Sequence, residues 1–140
     1  MPFRHIMVAI DGSDASQRAL DISIELAALL DARLTALAVE GPLPAYAATI
    51  GEVDEVKREK DRFFTDLAEQ ARVRAALAGV ELEVELRAGH AAEVITRSAR
   101  EVHADLIVLG HKGHFLQSHL LGSTADRVAE HSEVPVLIVR

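Results

Sequence analysis

The sequence lacks cysteine and tryptophan, and aromatic residues make up only 4% of its 140 residues. The absence of cysteine excludes disulfide bonds and metal sites built from thiolates. The scarcity of aromatic residues argues against the stacking platforms on which proteins bind single-stranded nucleic acid. The formal net charge of -7 also provides no basic surplus for a phosphate backbone. We therefore expect no nucleic-acid partner.

Long apolar runs are also missing, and none approaches the ~20 residues of a membrane-spanning helix. The first five residues lead directly into a short apolar segment, without the hydrophobic region of a signal peptide. We therefore expect a cytoplasmic protein with no membrane partner. The hydrophobic fraction of 49% and the chain length predict one folded domain over residues 1–140.

Short apolar strands and amphipathic helices alternate along the chain. The predicted strands cover residues 6–10, 34–39, 81–87, 106–109 and 134–139, and the predicted helices cover residues 15–30, about 52–78, 91–102 and 123–131. Ser13 is the expected N-cap of the first helix. The strict alternation over residues 81–87 is typical of a half-exposed strand near a sheet edge, with its acidic residues in water. This order predicts an α/β protein with a parallel sheet and helices on both faces.

Glycines and hydroxyl residues follow the fourth predicted strand. Gly110 and Gly113 come directly after it, and Gly122, Ser123 and Thr124 precede the last helix. Glycine allows a ligand to approach the backbone closely, and a helix N-terminus offers N–H groups to an anion. The pattern predicts a phosphate-binding loop, although the glycines could serve only turns and Ser123 could serve only as an N-cap.

Asp11 ends the first predicted strand and would face the glycine loop if strands one and four are neighbours. Its carboxylate could accept hydrogen bonds from a ribose, or it could only satisfy local N–H groups. His111, His114 and His119 lie close together in the loop, but no carboxylate stands at a convincing ligand spacing. The sequence therefore predicts no metal site built from protein side chains.

Five segments together resemble the universal stress protein family. They are Ile-Met-Val-Ala-Ile-Asp-Gly-Ser at 6–13, Gly-His-Ala-Ala-Glu-Val-Ile at 89–95, Ala-Asp-Leu-Ile-Val-Leu-Gly at 104–110, the glycine loop, and Val-Pro-Val-Leu-Ile-Val at 134–139. The resemblance implies an open, Rossmann-like, five-stranded parallel sheet of order 3-2-1-4-5. It also implies homodimers and, in one branch of the family, ATP bound across the carboxyl edge of the sheet.

The resemblance also implies roles for single residues. Asp11 would contact the adenosine at its ribose, and the backbone at Val39 would hydrogen-bond the adenine. Ala9 and Leu109 would line the pocket. The phosphates would be surrounded by Gly110, Gly113, Gly122, Ser123 and Thr124. The family's ATP signature has nine residues between its second and third glycines, whereas this chain has eight, at 114–121.

The favoured hypothesis is a stress-response protein that binds ATP, with Mg²⁺ carried by the phosphates, and acts as a dimer on an unknown regulatory protein. The dimer would form through the strand from Val134 to Val139, because Pro135 favours an edge position. No main catalytic role is expected, since the chain has no P-loop and no obvious arginine finger.

The alternative is an interaction module on the same fold that binds no nucleotide. An adenylyl-transfer enzyme is disfavoured, because the first strand lacks a Ser-Gly-Gly-x-Asp-Ser loop. The segment from Gly41 to Glu52 is a candidate lid.

Overall fold

A computed structural model describes residues 3–41, 50–111 and 123–140. Five parallel strands form one sheet of order β3-β2-β1-β4-β5, which confirms the predicted fold class. The strands are β1 His5–Ile10, β2 Arg33–Glu40, β3 Leu82–Ala88, β4 Leu106–Gly110 and β5 Val136–Val139. The helices are α1 Asp14–Leu30, α2 Ile50–Leu77, α3 Ala91–Glu101 and α4 Thr124–His131. Within the described ranges, no helix is both long and apolar enough to cross a membrane.

The two faces of the sheet bury separate apolar clusters. Alternate residues of a strand point to opposite faces. On β1, Ile6 and Val8 pack with residues of α1 and α2, whereas Met7 and Ala9 pack with residues of α3 and α4. Because both faces of the central strands are covered, β1 is buried along its whole length. This explains its continuous apolar sequence.

Side-chain caps begin two of the helices: Ser13 was expected in this role, and for Ser123 it was the alternative to a phosphate contact. The Ser13 hydroxyl accepts a hydrogen bond from the Ser16 N–H at the start of α1, and Ser123 caps α4. At its other end, α1 stops at Asp31, which adopts a left-handed conformation with φ of 53°. The two serine caps fix the residues at which α1 and α4 begin.

Strand β3 lies at an edge of the sheet, as its alternating sequence predicted. The prediction that its acidic residues all lie in water is wrong for Glu85, which is half-buried and pairs with Arg87 at 3.0 Å. Arg87 also forms an ion pair with Glu101 of α3. Leu86 is 48% exposed although its position in the alternation predicted burial. The apolar face of this strand is therefore covered only in part.

Strand β5 forms the opposite edge and begins two residues later than predicted. Pro135 has no N–H to donate to a ladder, and the Val134 N–H donates to the Ser132 hydroxyl at 3.1 Å. The ladder with β4 therefore starts at Val136.

Helix α2 begins at Ile50, so Gly51 is helical rather than part of a loop. The other residues of the predicted lid, 42–49, lie outside the described residues. The helical spacing of apolar residues along α2 predicts Phe63 on the inner face of this helix, but its side chain is 46% exposed. The 28 residues of α2 span about 42 Å, whereas the eight residues of β2 span about 26 Å. Phe63 accordingly lies against Gly12, which follows β1, rather than over the middle of the sheet.

Candidate functional site

The switch point of the sheet lies between β1 and β4. After β1 the chain crosses to the face covered by α1 and α2, and after β4 it crosses to the face covered by α3 and α4. The first turns of α1 and α4 follow the carboxyl ends of these two neighbouring strands. In open parallel sheets, ligands bind in the crevice at such a point. The predicted adjacency of strands one and four is thus confirmed.

The apolar residues predicted to contact adenosine, Ala9 and Leu109 as pocket lining and Val39 through its backbone, come together at this edge. Ala9, Val39 and Leu109 lie on neighbouring strands and belong to one buried cluster beneath α3 and α4. Val39 follows Ala38, the last β2 residue paired with β1, so it is level with Asp11. Close packing of these side chains fixes the strand ends from which backbone groups would meet a ligand.

Asp11 is only 5% exposed at the carboxyl end of β1. Its Oδ1 atom accepts a hydrogen bond from the Ser13 N–H at 2.9 Å, and its own N–H donates to the Ser16 hydroxyl at 3.2 Å. The local role considered from the sequence is therefore present. A carboxylate has about four acceptor positions, so the bond from the Ser13 N–H does not by itself prevent a ligand contact.

Gly110 is required for close packing between β4 and α1. A Cβ atom at this position would lie 2.7 Å from the backbone carbon of Ala15, 2.8 Å from the Ala15 Cβ and 2.9 Å from the Ser16 nitrogen. These distances are far below ordinary contact distances, and two of the three atoms are backbone. This glycine therefore has a packing reason that is independent of any phosphate.

The N-terminus of α4 is closed by a reciprocal pair of hydrogen bonds. The Ser123 hydroxyl accepts from the Asp126 N–H at 3.0 Å, and the Asp126 carboxylate accepts from the Ser123 N–H at 3.3 Å. Thr124 is the first residue of the helix. The N–H groups of Ser123 and Asp126 are thus engaged by the chain itself, and a carboxylate lies in the first turn of α4.

Part of the predicted site lies outside the described residues, namely Gly113, Gly122, His114 and His119. His111 follows Gly110, and its N–H donates to the Val139 carbonyl at 2.7 Å. Its Nδ1 atom is buried and has no hydrogen-bond partner among the described residues. In the same part of the chain, no group of three or more histidines and carboxylates could hold a metal ion.

Two features of this structure were not found from the sequence. The Asp126 carboxylate could have been recognised, since serine followed three residues later by an acidic residue is a capping pattern. The second feature is His5, which is 6% exposed at the amino edge of the sheet. No spacing signal distinguishes it from an ordinary strand residue.

His5 is held by neighbours from three elements. Its Nε2 lies 2.7 Å from the Thr35 hydroxyl, and its Nδ1 lies 2.9 Å from the Val102 carbonyl. The Asp105 carboxylate accepts hydrogen bonds from the backbone N–H groups of Arg4 and His5. Burial, and then the charge of Arg33, hold the pKa of His5 below its ordinary value.

Comparison with known proteins places this geometry in a family. The profile of the universal stress protein family matches residues 2–140. Universal stress protein YxiE of Bacillus subtilis is 34% identical over 147 residues, with 99% of both chains covered. A universal stress protein of Thermus aquaticus is 36% identical over 141 residues, again with 99% of both chains covered. A universal stress protein solved in complex with cAMP is 31% identical and has a TM-score of 0.78. The match covers 100% of this chain and 99% of that protein. The chain belongs to the universal stress protein family.

Proposed function

We propose that this protein binds an adenine nucleotide, ATP with its Mg²⁺, in the crevice between β1 and β4 and acts as a nucleotide-dependent regulator in the cytoplasm. The observation that carries the proposal is the convergence at one edge of the buried Asp11 carboxylate, the ends of β1, β2 and β4, and two helix N-termini. A relative of 31% identity, solved in complex with cAMP, supports an adenine nucleotide as the ligand. The proposal includes no catalytic step.

The donor set fits the parts of ATP unequally. The strand ends and Asp11 provide an apolar floor and an acceptor for a ribose hydroxyl. At α4, Asp126 must move away before the terminal phosphates can use the helix N-terminus, because like charges repel. The Mg²⁺ ion would be held mainly by phosphate oxygens and water.

Calorimetric titration with ATP, ADP and AMP in the presence of Mg²⁺ tests this proposal. Asp11→Asn should weaken the binding of all three nucleotides about equally, because it removes a contact to the adenosine that they share. Asp126→Asn should strengthen the binding of ATP about fivefold and the binding of AMP less, because it removes a charge repulsion of roughly 1 kcal/mol at the phosphate end. The amide oxygen of asparagine can still accept the capping hydrogen bond. Asp66→Asn, on the exposed side of α2, is the matched control and should change nothing.

The second candidate function is an interaction module that binds no nucleotide. The reciprocal cap at Ser123 favours it, because two of the N–H groups at the start of α4 already have a hydrogen-bond partner within the chain. If none of the three nucleotides binds the wild-type chain at millimolar concentration, the nucleotide proposal fails and this candidate replaces it. If ATP binds and Asp126→Asn leaves its affinity unchanged, the assignment of α4 to the phosphates is wrong.

We further propose that two copies pair through β5. This strand is a sheet edge, and its Leu137 and Ile138 side chains are 37% and 39% exposed. A bare apolar edge is an aggregation hazard that a two-fold partner removes. Light scattering should give a dimeric mass for the wild type and a monomeric mass for Leu137→Lys. Leu77→Lys, on exposed α2, should remain dimeric. A monomeric wild type at micromolar concentration would contradict the proposal.

A further inference from the structure

A groove of about 450 Å³ lies at the amino edge of the sheet, opposite the nucleotide crevice. It is formed by the first residues of β1, β2 and β3 and by the last turns of α2. Val80 and Leu82 contribute partly exposed aliphatic side chains above the buried Leu34, and Arg33 and Arg72 contribute cations. The groove therefore combines an apolar surface with two groups that bind anions.

Within the part of the chain that the structure describes, the two guanidinium groups are not neutralised by direct ion pairs. Among residues 3–41, 50–111 and 123–140, no carboxylate oxygen lies within 4.0 Å of Arg33 or Arg72. Glu81 and Glu83 also line the groove, so its four charged side chains sum to a formal charge of zero. A monoanion beside these guanidiniums would meet less repulsion from the glutamates than a dianion would.

Arg33 makes a conflicting contact with the buried ring of His5. Its guanidinium nitrogen lies 3.0 Å from Nδ1, the same atom that lies 2.9 Å from the Val102 carbonyl. A neutral imidazole nitrogen can donate to a carbonyl or accept from a guanidinium, but it cannot do both. In either tautomer one of these two contacts is unsatisfied. Moving Arg33 away from the ring removes the conflict.

We propose that this groove binds an aliphatic monocarboxylate, whose carboxylate lies between Arg33 and Arg72, and that binding draws Arg33 away from His5. A carboxylate matches the planar fork of a guanidinium, and a short alkyl chain matches the partly exposed side chains of Val80 and Leu82. The site is separate from the nucleotide crevice and does not depend on the proposed function.

Binding at this groove is coupled to a proton on His5. The charged groups that face the ring are Arg33 on β2, Glu83 on β3 and Asp105 before β4. When Arg33 turns to a bound anion, the two carboxylates dominate the field at the ring. Protonated His5 can then donate from Nδ1 to Val102 and from Nε2 to the Thr35 hydroxyl. The monocarboxylate should therefore bind more tightly as the pH falls below neutrality.

Titration of the full chain with butyrate, followed by NMR, tests the proposal. Butyrate should give saturable shifts of the Leu34 and Leu82 amides and should raise the pKa of the His5 ring. Arg33→Gln and Arg72→Gln should each weaken butyrate binding about tenfold, the usual effect of losing a hydrogen bond to a charged group. Arg62→Gln, an exposed arginine nearer the start of α2, should bind butyrate like the wild type.

Three further probes make the outcome decisive. Butyramide, which has the same chain without the charge, should not bind, and acetate should bind more weakly than butyrate. Inorganic phosphate should not compete with butyrate at equal concentration. The proposal is overturned if butyrate gives no saturable shift at tens of millimolar, or if butyramide or phosphate binds as tightly as butyrate. It is also overturned if neither arginine variant weakens the binding of butyrate. An unchanged His5 pKa in the butyrate complex would overturn the coupling to Arg33.

Discussion

Replacing Gly110 by alanine should destabilise the folded chain, even in the absence of any ligand. The added Cβ would lie 2.7 to 2.9 Å from three atoms of Ala15 and Ser16, whereas carbon atoms normally pack at about 3.5 to 4.0 Å. Two of these atoms are backbone, so a change of side-chain rotamer cannot relieve the overlap. Strand β4 and helix α1 must move apart by close to 1 Å.

The expected cost follows from these distances. Overpacking a core typically costs about 1 to 3 kcal/mol, and the lower entropy of the unfolded alanine chain returns about 0.4 to 1 kcal/mol. Gly110→Ala should therefore lower the free energy of unfolding by about 1 to 2 kcal/mol. Gly41→Ala is the matched control, because nothing lies within 4 Å of its Cβ position and its φ is not in the left-handed region. It should be neutral or slightly stabilising.

Urea unfolding followed by circular dichroism measures both variants. Protein concentration must be held constant, because self-association would add to the apparent stability. If Gly110→Ala unfolds at the same urea concentration as Gly41→Ala, the close approach of β4 and α1 is not a constraint. The need for glycine at this position would then have to come from a ligand.

The remaining predictions concern protonation and hydrogen bonding. Because the pKa of His5 is lowered by folding, the free energy of unfolding should fall as the pH drops below about 6.5, by at most about 1.4 kcal/mol per pH unit for this group. His5→Gln should flatten that slope in pH-dependent urea unfolding, and a slope equal to that of the exposed-site control His90→Gln would contradict the assignment. Ser13→Ala should cost about 1 kcal/mol, because it removes the cap of α1. Ser98→Ala should be neutral or stabilising, since its buried hydroxyl has no partner among the described residues, and a large loss in thermal unfolding would show an unrecognised hydrogen bond.

Patterns of apolar residues were sufficient to predict the architecture. Strand β1 is apolar at every position from Ile6 to Ile10 because both of its faces are covered, and β3 alternates because it is an edge. Phe63 was misplaced because helical periodicity gives the side of a helix but not where the helix overhangs the sheet. Its exposure depends on the relative lengths of α2 and the strands.

Sequence motifs predicted the edge that carries the site better than the state of its groups. Asp11 directly follows β1, and Ser123 directly precedes α4, as expected. That Ser123 is engaged by Asp126 depends on side-chain geometry that spacing alone does not resolve. The surroundings of His5 depend on contacts between residues that are 30 and 97 positions apart, which no local pattern encodes.

The pairing of β1 with β4 has a consequence for folding order. Ile6 of β1 pairs with Leu106 of β4, about 100 residues further along the chain. The pairings of β1 with β2 and of β2 with β3 join residues that are much closer in the sequence. Closing so long a stretch of chain costs more entropy, so this pairing is expected to form late. The crevice comes into being only at that step, when the β1-β2-β3 half meets the β4-β5 half. A ligand of the crevice would stabilise the completed fold and leave either half alone unaffected.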